Sequence, residues 1–247
     1  EAVARVDRLS MLSGEWEPCP SMLVARAACA AAGDGTRVYS VGGSSDGKQL
    51  LHTGEVFSED TGWSKIAPMT RRRAAFAAVS LGGTIYAIGG LNGATRLRDV
   101  ERYEPSLGSW RKLASLPTPR ADHAAVALRG VILAIGGFSE SASPEDTVMS
   151  YTPGQDVWER MPSLMQGVAA CAAVVSKGRV YVLGGSNGRR TLPAVQVLVP
   201  GESFWRMGPP MRNPRMSIAA GTCLANSWGE TGVVRAASAL TQRAAVA

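Results

Sequence analysis

Five tryptophans, Trp16, Trp63, Trp110, Trp158 and Trp205, stand 47, 47, 48 and 47 residues apart. Four glycine pairs, Gly42-Gly43, Gly89-Gly90, Gly136-Gly137 and Gly184-Gly185, keep the same spacing. A fixed period of this length means that one supersecondary unit is copied along the chain, and that no copy buries its apolar face without stacking on a neighbour. The repeat runs unbroken to about residue 223, so the 247 residues are read as one domain.

Each period holds four short apolar or alternating runs separated by turn residues. In the third unit, residues 121–128 and 131–135 flank the turn Arg129-Gly130, a polar loop follows the glycine pair, and residues 147–151 and 157–161 flank a turn through Pro153-Gly154. The same pattern predicts strands at 27–32, 37–41, 54–57 and 63–66, at 74–81, 84–88, 99–103 and 110–113, and at 168–175, 179–183, 195–199 and 205–207. Pro and Gly interrupt each run too often for helical repeats. Four short strands per period fit the blade of a β-propeller.

The ends carry half-units. Shifted by two periods, Val6-Asp7-Arg8-Leu9 aligns with Val100-Glu101-Arg102-Tyr103, and Gly14 and Trp16 align with Gly108 and Trp110. Residues 216–224 read as a first strand with no glycine pair after it, and Val233-Val234 is a feeble candidate for the second strand. The expected fold is all-β, with four intact four-stranded antiparallel blades at 23–69, 70–116, 117–164 and 165–211 and a partial or composite fifth. Residues 1–22 would supply strands three and four of that fifth blade, residues 212–224 its first strand, and 225–247 an irregular tail. A piece of a larger ring is the other reading of the same ends.

The second unit carries Arg73, Tyr86, Gly89-Gly90, Glu101, Tyr103, Trp110 and Leu116-Pro117 in order. The first keeps Arg26, Tyr39, Glu55, Phe57, Trp63 and Pro68-Met69, the third Arg120, Tyr151, Trp158 and Met161-Pro162, and the fourth Tyr181, Trp205 and Pro210-Met211, followed by Arg215. In this pattern the chain resembles the kelch-repeat family over residues 6–224, departing from it at Val168, where an Arg is expected, and at Leu198, where an aromatic is expected. The resemblance implies a kelch-type β-propeller acting as a protein-interaction module, of the kelch-like adaptor type that recognises substrates for ubiquitin ligases. A cytoskeletal, actin-associated scaffold and an enzyme acting on a sugar are the alternatives the family leaves. The glycine pairs and the tryptophans are expected to be framework, the former for backbone freedom and close packing, the latter to seal one blade against the next.

No motif for nucleophilic, phosphate-binding or zinc chemistry is present. Of the two histidines, His123 is expected on an inner strand near the axis, in register with Cys29, Phe76 and Cys171, and His52 in a solvated loop. Cys19, Cys29, Cys171 and Cys223 show no ligand spacing. No catalysis, metal or cofactor is therefore expected. Free buried thiols fit a reducing compartment, so an intracellular, cytoplasmic location is expected, and no run approaches the ~18 apolar residues of a membrane helix.

In a propeller blade, the loops joining strands two to three and four to the next blade share one rim. By sequence that rim holds Lys48, Arg71, Arg72, Arg73, Arg96, Arg98, Arg120, Arg189, Arg190, Arg212 and Arg215 against Asp46, Glu140, Glu145 and Asp146. The opposite rim is mildly acidic. Guanidinium forks pair directionally with carboxylates and phosphates, so the candidate partner-binding residues are Arg71, Arg72, Arg96, Arg98, Arg189, Arg190 and Arg212, with Asn92, Asn187 and Asn213 as hydrogen-bonding companions. Arg73, Arg120 and Arg215 stand in the framework register and are expected to brace loops. An acidic peptide or protein is the expected partner. The net charge of +6 keeps nucleic acid as an alternative, weakened by the scarcity of aromatics beside the loop arginines.

Overall fold

The structure, a computed structural model, describes residues 1–10, 13–141, 143–199, 201–221 and 235–238. The short turns between runs fold each period into an up-and-down antiparallel sheet. At the start, β1 (Val6–Leu9) and β2 (Trp16–Cys19) form a two-stranded sheet with Leu9 opposite Trp16. Blade one is β3 (Ala30–Gly33), β4 (Val38–Val41), β5 (Gly54–Ser58) and β6 (Gly62–Ile66). Blade two is β7 (Ala77–Leu81), β8 (Thr84–Ile88), β11 (Val100–Glu104) and β12 (Ser109–Leu113), with a small hairpin, β9 (Leu91–Asn92) and β10 (Thr95–Arg96), inserted after its second strand. Blade three is β13 (Ala124–Leu128), β14 (Val131–Ile135), β15 (Val148–Thr152) and β16 (Val157–Met161); blade four is β17 (Ala172–Ser176), β18 (Arg179–Leu183), β19 (Val195–Leu198) and β20 (Trp205–Met207). These are the four antiparallel four-stranded blades of a propeller, as the period requires.

The core lies between blades. Tyr86, Ile88 and Val100 of blade two pack with Ile132, Ala134, Met149 and Tyr151 of blade three in one buried cluster, and Leu133, Ile135 and Val148 of blade three pack with Val180, Val182 and Trp205 of blade four in another. Each Trp fastens this stacking by donating its indole N–H to a carbonyl of the preceding unit: Trp63 to Pro20 at 2.8 Å, Trp110 to Ala67 at 2.8 Å, Trp158 to Ala114 at 2.9 Å and Trp205 to Pro162 at 3.0 Å. The glycine pairs serve the same seams. At Gly90, with φ of +103°, an added Cβ would stand 2.5 Å from Phe76 Cβ and 2.8 Å from the Ala74 carbonyl oxygen. Neither the conformation nor the space admits a side chain.

The inner strands start two to four residues later than their apolar runs predict. Ala28, Ala75, Asp122, Ala170 and Ser217 all adopt positive φ, between 50° and 55°, which breaks the strand before it starts. The kink turns each N–H toward the previous blade: Ala75 N donates to Ala28 O at 3.0 Å, and Asp122 to Ala75, Ala170 to Asp122 and Ser217 to Ala170, each at 2.8 Å. This relay of left-handed residues ties the blades together around the axis. Each left-handed residue costs about 1–2 kcal/mol, and the backbone hydrogen bonds of the relay hold it there.

Beyond blade four, β21 (Ile218–Gly221) pairs with β22 (Arg235–Ser238). β22 lies in the segment expected to be irregular, while Val233-Val234 and Cys223 fall outside the described residues. The β1–β2 and β21–β22 pairs are separate two-stranded sheets. Among the described residues no helix is long and apolar enough to cross a membrane.

A candidate partner-binding rim

Two sets of loops meet because each blade-to-blade connection hydrogen-bonds to the loop after its own second strand. Met69 N reaches His52 O and Arg73 N reaches Leu51 O in blade one; Leu116 and Arg120 reach Arg98 and Leu97 in blade two. Leu164 and Val168 reach Asp146 and Glu145 in blade three, and Met211 and Arg215 reach Pro193 and Leu192 in blade four. Within each blade the two loop sets assigned to this rim by sequence are thereby bonded side by side.

Its arginines divide into two groups. Arg26, Arg73 and Arg120 are buried framework. Arg73 Nη1 donates to Gly89 O at 2.8 Å and Asp99 O at 2.9 Å, while Nη2 meets Glu101 Oε1 at 2.6 Å with both side chains fully buried. Arg26 repeats this on Gly42 O, Thr53 O and Glu55 Oε1 at 2.9, 2.8 and 2.8 Å. Each carboxylate also closes the connection that leads into its blade: Glu101 accepts Thr70 N at 2.7 Å, and Glu55 accepts Leu23 N and Val24 N at 2.6 and 3.1 Å. Burial pulls the Arg73 guanidinium below its usual range, against the raising effect of Glu101.

In blade three Arg120 keeps its two carbonyls, Gly136 O and Thr147 O, but Met149 stands where Glu101 stands in blade two. Thr147 Oγ1 accepts from Arg120 and donates to Glu145 Oε2 at 3.2 Å, which passes the charge outward. Blade four drops both charges at once. Val168 replaces the Arg and Gln196 replaces the Glu, and the Gln196 amide accepts from Gln166 N at 3.1 Å and donates to Gln166 O at 3.2 Å. Blade four removes both charges together, whereas blade three keeps its arginine on two carbonyls and a hydroxyl; an interior ion left without acceptors is strongly destabilising. The sequence signal for Glu55, Glu101 and Gln196, unclaimed when only the arginines are read, is this joint change.

The remaining candidates lie on the surface. Arg71 is exposed and stands 3.5 Å from Asp99; Arg72 is exposed and donates to Leu50 O at 2.7 Å. Asn92 and Arg96 sit on the β9–β10 hairpin, both half-buried, and Arg98 follows it, exposed. Asn187 is half-buried and its Oδ1 accepts the N–H groups of Arg189 and Arg190 at 3.1 and 3.0 Å, so it shapes its own loop. Arg189, Arg190, Arg212 and Asn213 are exposed. Arg215 is half-buried, and its carbonyl accepts Gly185 N at 2.7 Å.

On the opposite rim several carboxylates are committed to structure. Asp34 accepts from the Thr36 and Arg37 amides and from Tyr39 Oη at 3.1 Å; burial tends to raise its pKa, but these donors carry it well below the usual range. Tyr39 is pushed up to about 12 by burial and by Asp34. Asp156 accepts from Tyr151 Oη at 2.6 Å and from Ala114 N of blade two at 2.8 Å.

His123 is buried in the seam between blades two and three. Its Cε1 lies where a Cβ on Gly89 would come within 3.0 Å, its Cβ lies against Gly137, and neither ring nitrogen has a hydrogen-bond partner. It fills the place that Phe76 fills one blade earlier, between Gly42 and Gly90. Burial, then Arg120 and Arg73, lower its pKa to about 3, so it is a neutral packing residue. His52 is half-buried rather than fully solvated, with Nδ1 buried, since Leu51 and His52 carry the backbone contacts to the next connection. Burial pushes the Cys171 thiol up to about 12, which leaves no nucleophile there. No group of three or more metal-ligating side chains converges among the described residues.

Among solved structures the chain is similar to "Structure of YjhT", with a TM-score of 0.71 at 18% identity over 80% of this chain and 68% of that one. This likeness concerns the fold. No curated protein matches by sequence. The kelch motif matches residues 25–70, 72–117, 119–165 and 168–212, which are the four blades with the connections that close them. With its glycine seams, indole latches and buried arginines thus accounted for, the chain belongs to the kelch-repeat family.

Proposed function

We propose that this propeller is a protein-interaction module that offers its arginine-bearing rim to an acidic peptide or protein. The supporting observation is the division of the arginines: Arg26, Arg73 and Arg120 are consumed inside the blades, whereas Arg98, Arg189, Arg190 and Arg212 are exposed and form no ion pair among the described residues. Cations that build nothing are free to recognise. Recognition by guanidinium forks requires no chemistry from the chain, and the family resemblance supports use as the substrate-recognition part of a ubiquitin-ligase adaptor. The test is affinity capture with the chain and with a form carrying Arg96→Glu, Arg98→Glu, Arg189→Glu and Arg190→Glu. Acidic partners retained by the first should be absent from the second; an unchanged set of partners rejects the rim as the binding surface.

A further inference from the structure

Blade four differs from the others in having no carboxylate to balance its rim cations. Blade one has Asp46, blade two Asp99, and blade three Glu140, Glu145 and Asp146, but between Arg160 and Gly229 the sequence holds a single carboxylate, Glu202. Glu202 lies in the turn before β20, on the opposite rim, and pairs with Arg206 at 2.5 Å. The internal position that holds Glu101 in blade two is the neutral Gln196 here. The positive potential of this corner is therefore uncompensated within its own blade.

The guanidinium groups are also presented on fixed backbone. Asn187 Oδ1 accepts the Arg189 and Arg190 N–H groups, Ser186 Oγ accepts Gly188 N at 3.1 Å, and a Cβ on Gly188 would stand 3.1 Å from Pro144 Cδ of blade three. At the far end of the same loop, Pro193 O and Leu192 O accept Met211 N at 2.8 Å and Arg215 N at 3.2 Å, so Arg212 stands on the connection bonded to this loop. Arg189, Arg190 and Arg212 are exposed and none forms an ion pair among the described residues. Elsewhere on the rim the cations are partly answered, Arg71 by Asp99 and Arg72 by the Leu50 carbonyl.

We propose that this corner is a subsite for the phosphomonoester of a phosphorylated serine or threonine in the partner. The proposal rests on the acidic-partner reading above and adds the chemistry of one position. A phosphomonoester carries close to two charges at neutral pH and three acceptor oxygens, which match several guanidinium forks with no carboxylate among them; a single carboxylate leaves part of that charge unanswered. Nucleic-acid phosphates fit less well, because Phe138 is half-buried on the Ala121 and Pro144 bridges and, among the described residues, the loops of this rim present no exposed aromatic platform for bases.

Three immobilised libraries of acidic peptides, with the central residue fixed as phosphoserine, glutamate or serine, provide the test. The chain should retain the phosphoserine library at least tenfold better than the glutamate library at equal salt, with free phosphoserine competing. The Arg189→Ala/Arg190→Ala form, altered only at exposed side chains, should lose that preference while still binding glutamate peptides through Arg71 and Arg98. Equal retention of the phosphoserine and glutamate libraries, or a preference that survives in the double variant, overturns the subsite and leaves the acidic-partner reading standing. No retention of any library, or capture of oligothymidylate in its place with the same arginine dependence, overturns both.

Discussion

At the scale of single residues, the chain shows what a buried charge requires. Arg73→Val alone strands Glu101 in the interior and should lower stability by about 3–5 kcal/mol. Combining it with Glu101→Gln recreates the Val168 and Gln196 arrangement of blade four and should recover most of that loss. Urea midpoints of the two single variants and the double variant, with unchanged m-values, measure the coupling; strictly additive losses would show that the pair does not act as a unit. His123 makes a second residue-scale prediction. Its folded pKa, about 3, lies below the ordinary value of about 6.5, so below pH 6.5 the unfolded chain binds the proton and the folded chain does not. This contribution is fully present above pH 6.5 and falls by about 1.4 kcal/mol per unit as pH drops toward 3. In His123→Phe, which copies position 76, the stability profile between pH 4 and 6.5 should be flatter; an unchanged slope would place the acid sensitivity elsewhere.

At the scale of elements, strands and seams were mostly legible in the sequence and the inner kinks were not. Glycine and proline advertise turns because only they meet certain backbone demands, so the hairpins of every blade could be placed from composition. The left-handed residues ahead of β3, β7, β13, β17 and β21 are Ala, Ala, Asp, Ala and Ser, which carry no local signature; a tertiary hydrogen bond to the previous blade sets their conformation. The β9–β10 hairpin, two residues per strand, is likewise too short for periodicity to reveal. The framework register set Arg73 and Arg120 apart from Arg98 and Arg189, and burial agrees with it; Arg215, in the same register, is only half-buried, which spacing could not reveal. The glycine seams give a direct test. Gly90→Ala meets Phe76 and the Ala74 carbonyl and should cost at least about 3 kcal/mol, the sum of a left-handed penalty and a clash. Gly93→Ala, at the hairpin tip with nothing within 4 Å of the added methyl, should cost only the left-handed penalty of about 1–2 kcal/mol. Thermal unfolding of the two variants compares them; equal losses would mean that the seam can open to admit a methyl group.

At the scale of the whole molecule, stability comes from blade against blade, so a tryptophan matters in proportion to what covers it. Trp205 is 1% exposed and latched to Pro162, whereas Trp16 in the two-stranded β1–β2 sheet is 61% exposed. Trp205→Ala should cost about 3–5 kcal/mol and Trp16→Ala less than about 1 kcal/mol. A comparable loss at Trp16, by denaturant unfolding, would show its face covered, as the joining of β1–β2 with β21–β22 into one blade would do. Charge divides across the same molecule: arginines inside the blades hold them together, and exposed arginines outside them are the ones proposed to face a partner. The most direct measurement of that division sets unfolding midpoint and acidic-peptide retention side by side for Arg73→Met and for the combined Arg98→Glu, Arg189→Glu and Arg190→Glu form. The account predicts that Arg73→Met lowers the midpoint and, below its transition, still retains the peptides, while the rim form keeps the midpoint and loses them. A rim form that unfolds early, or that binds as well as the unaltered chain, would contradict it.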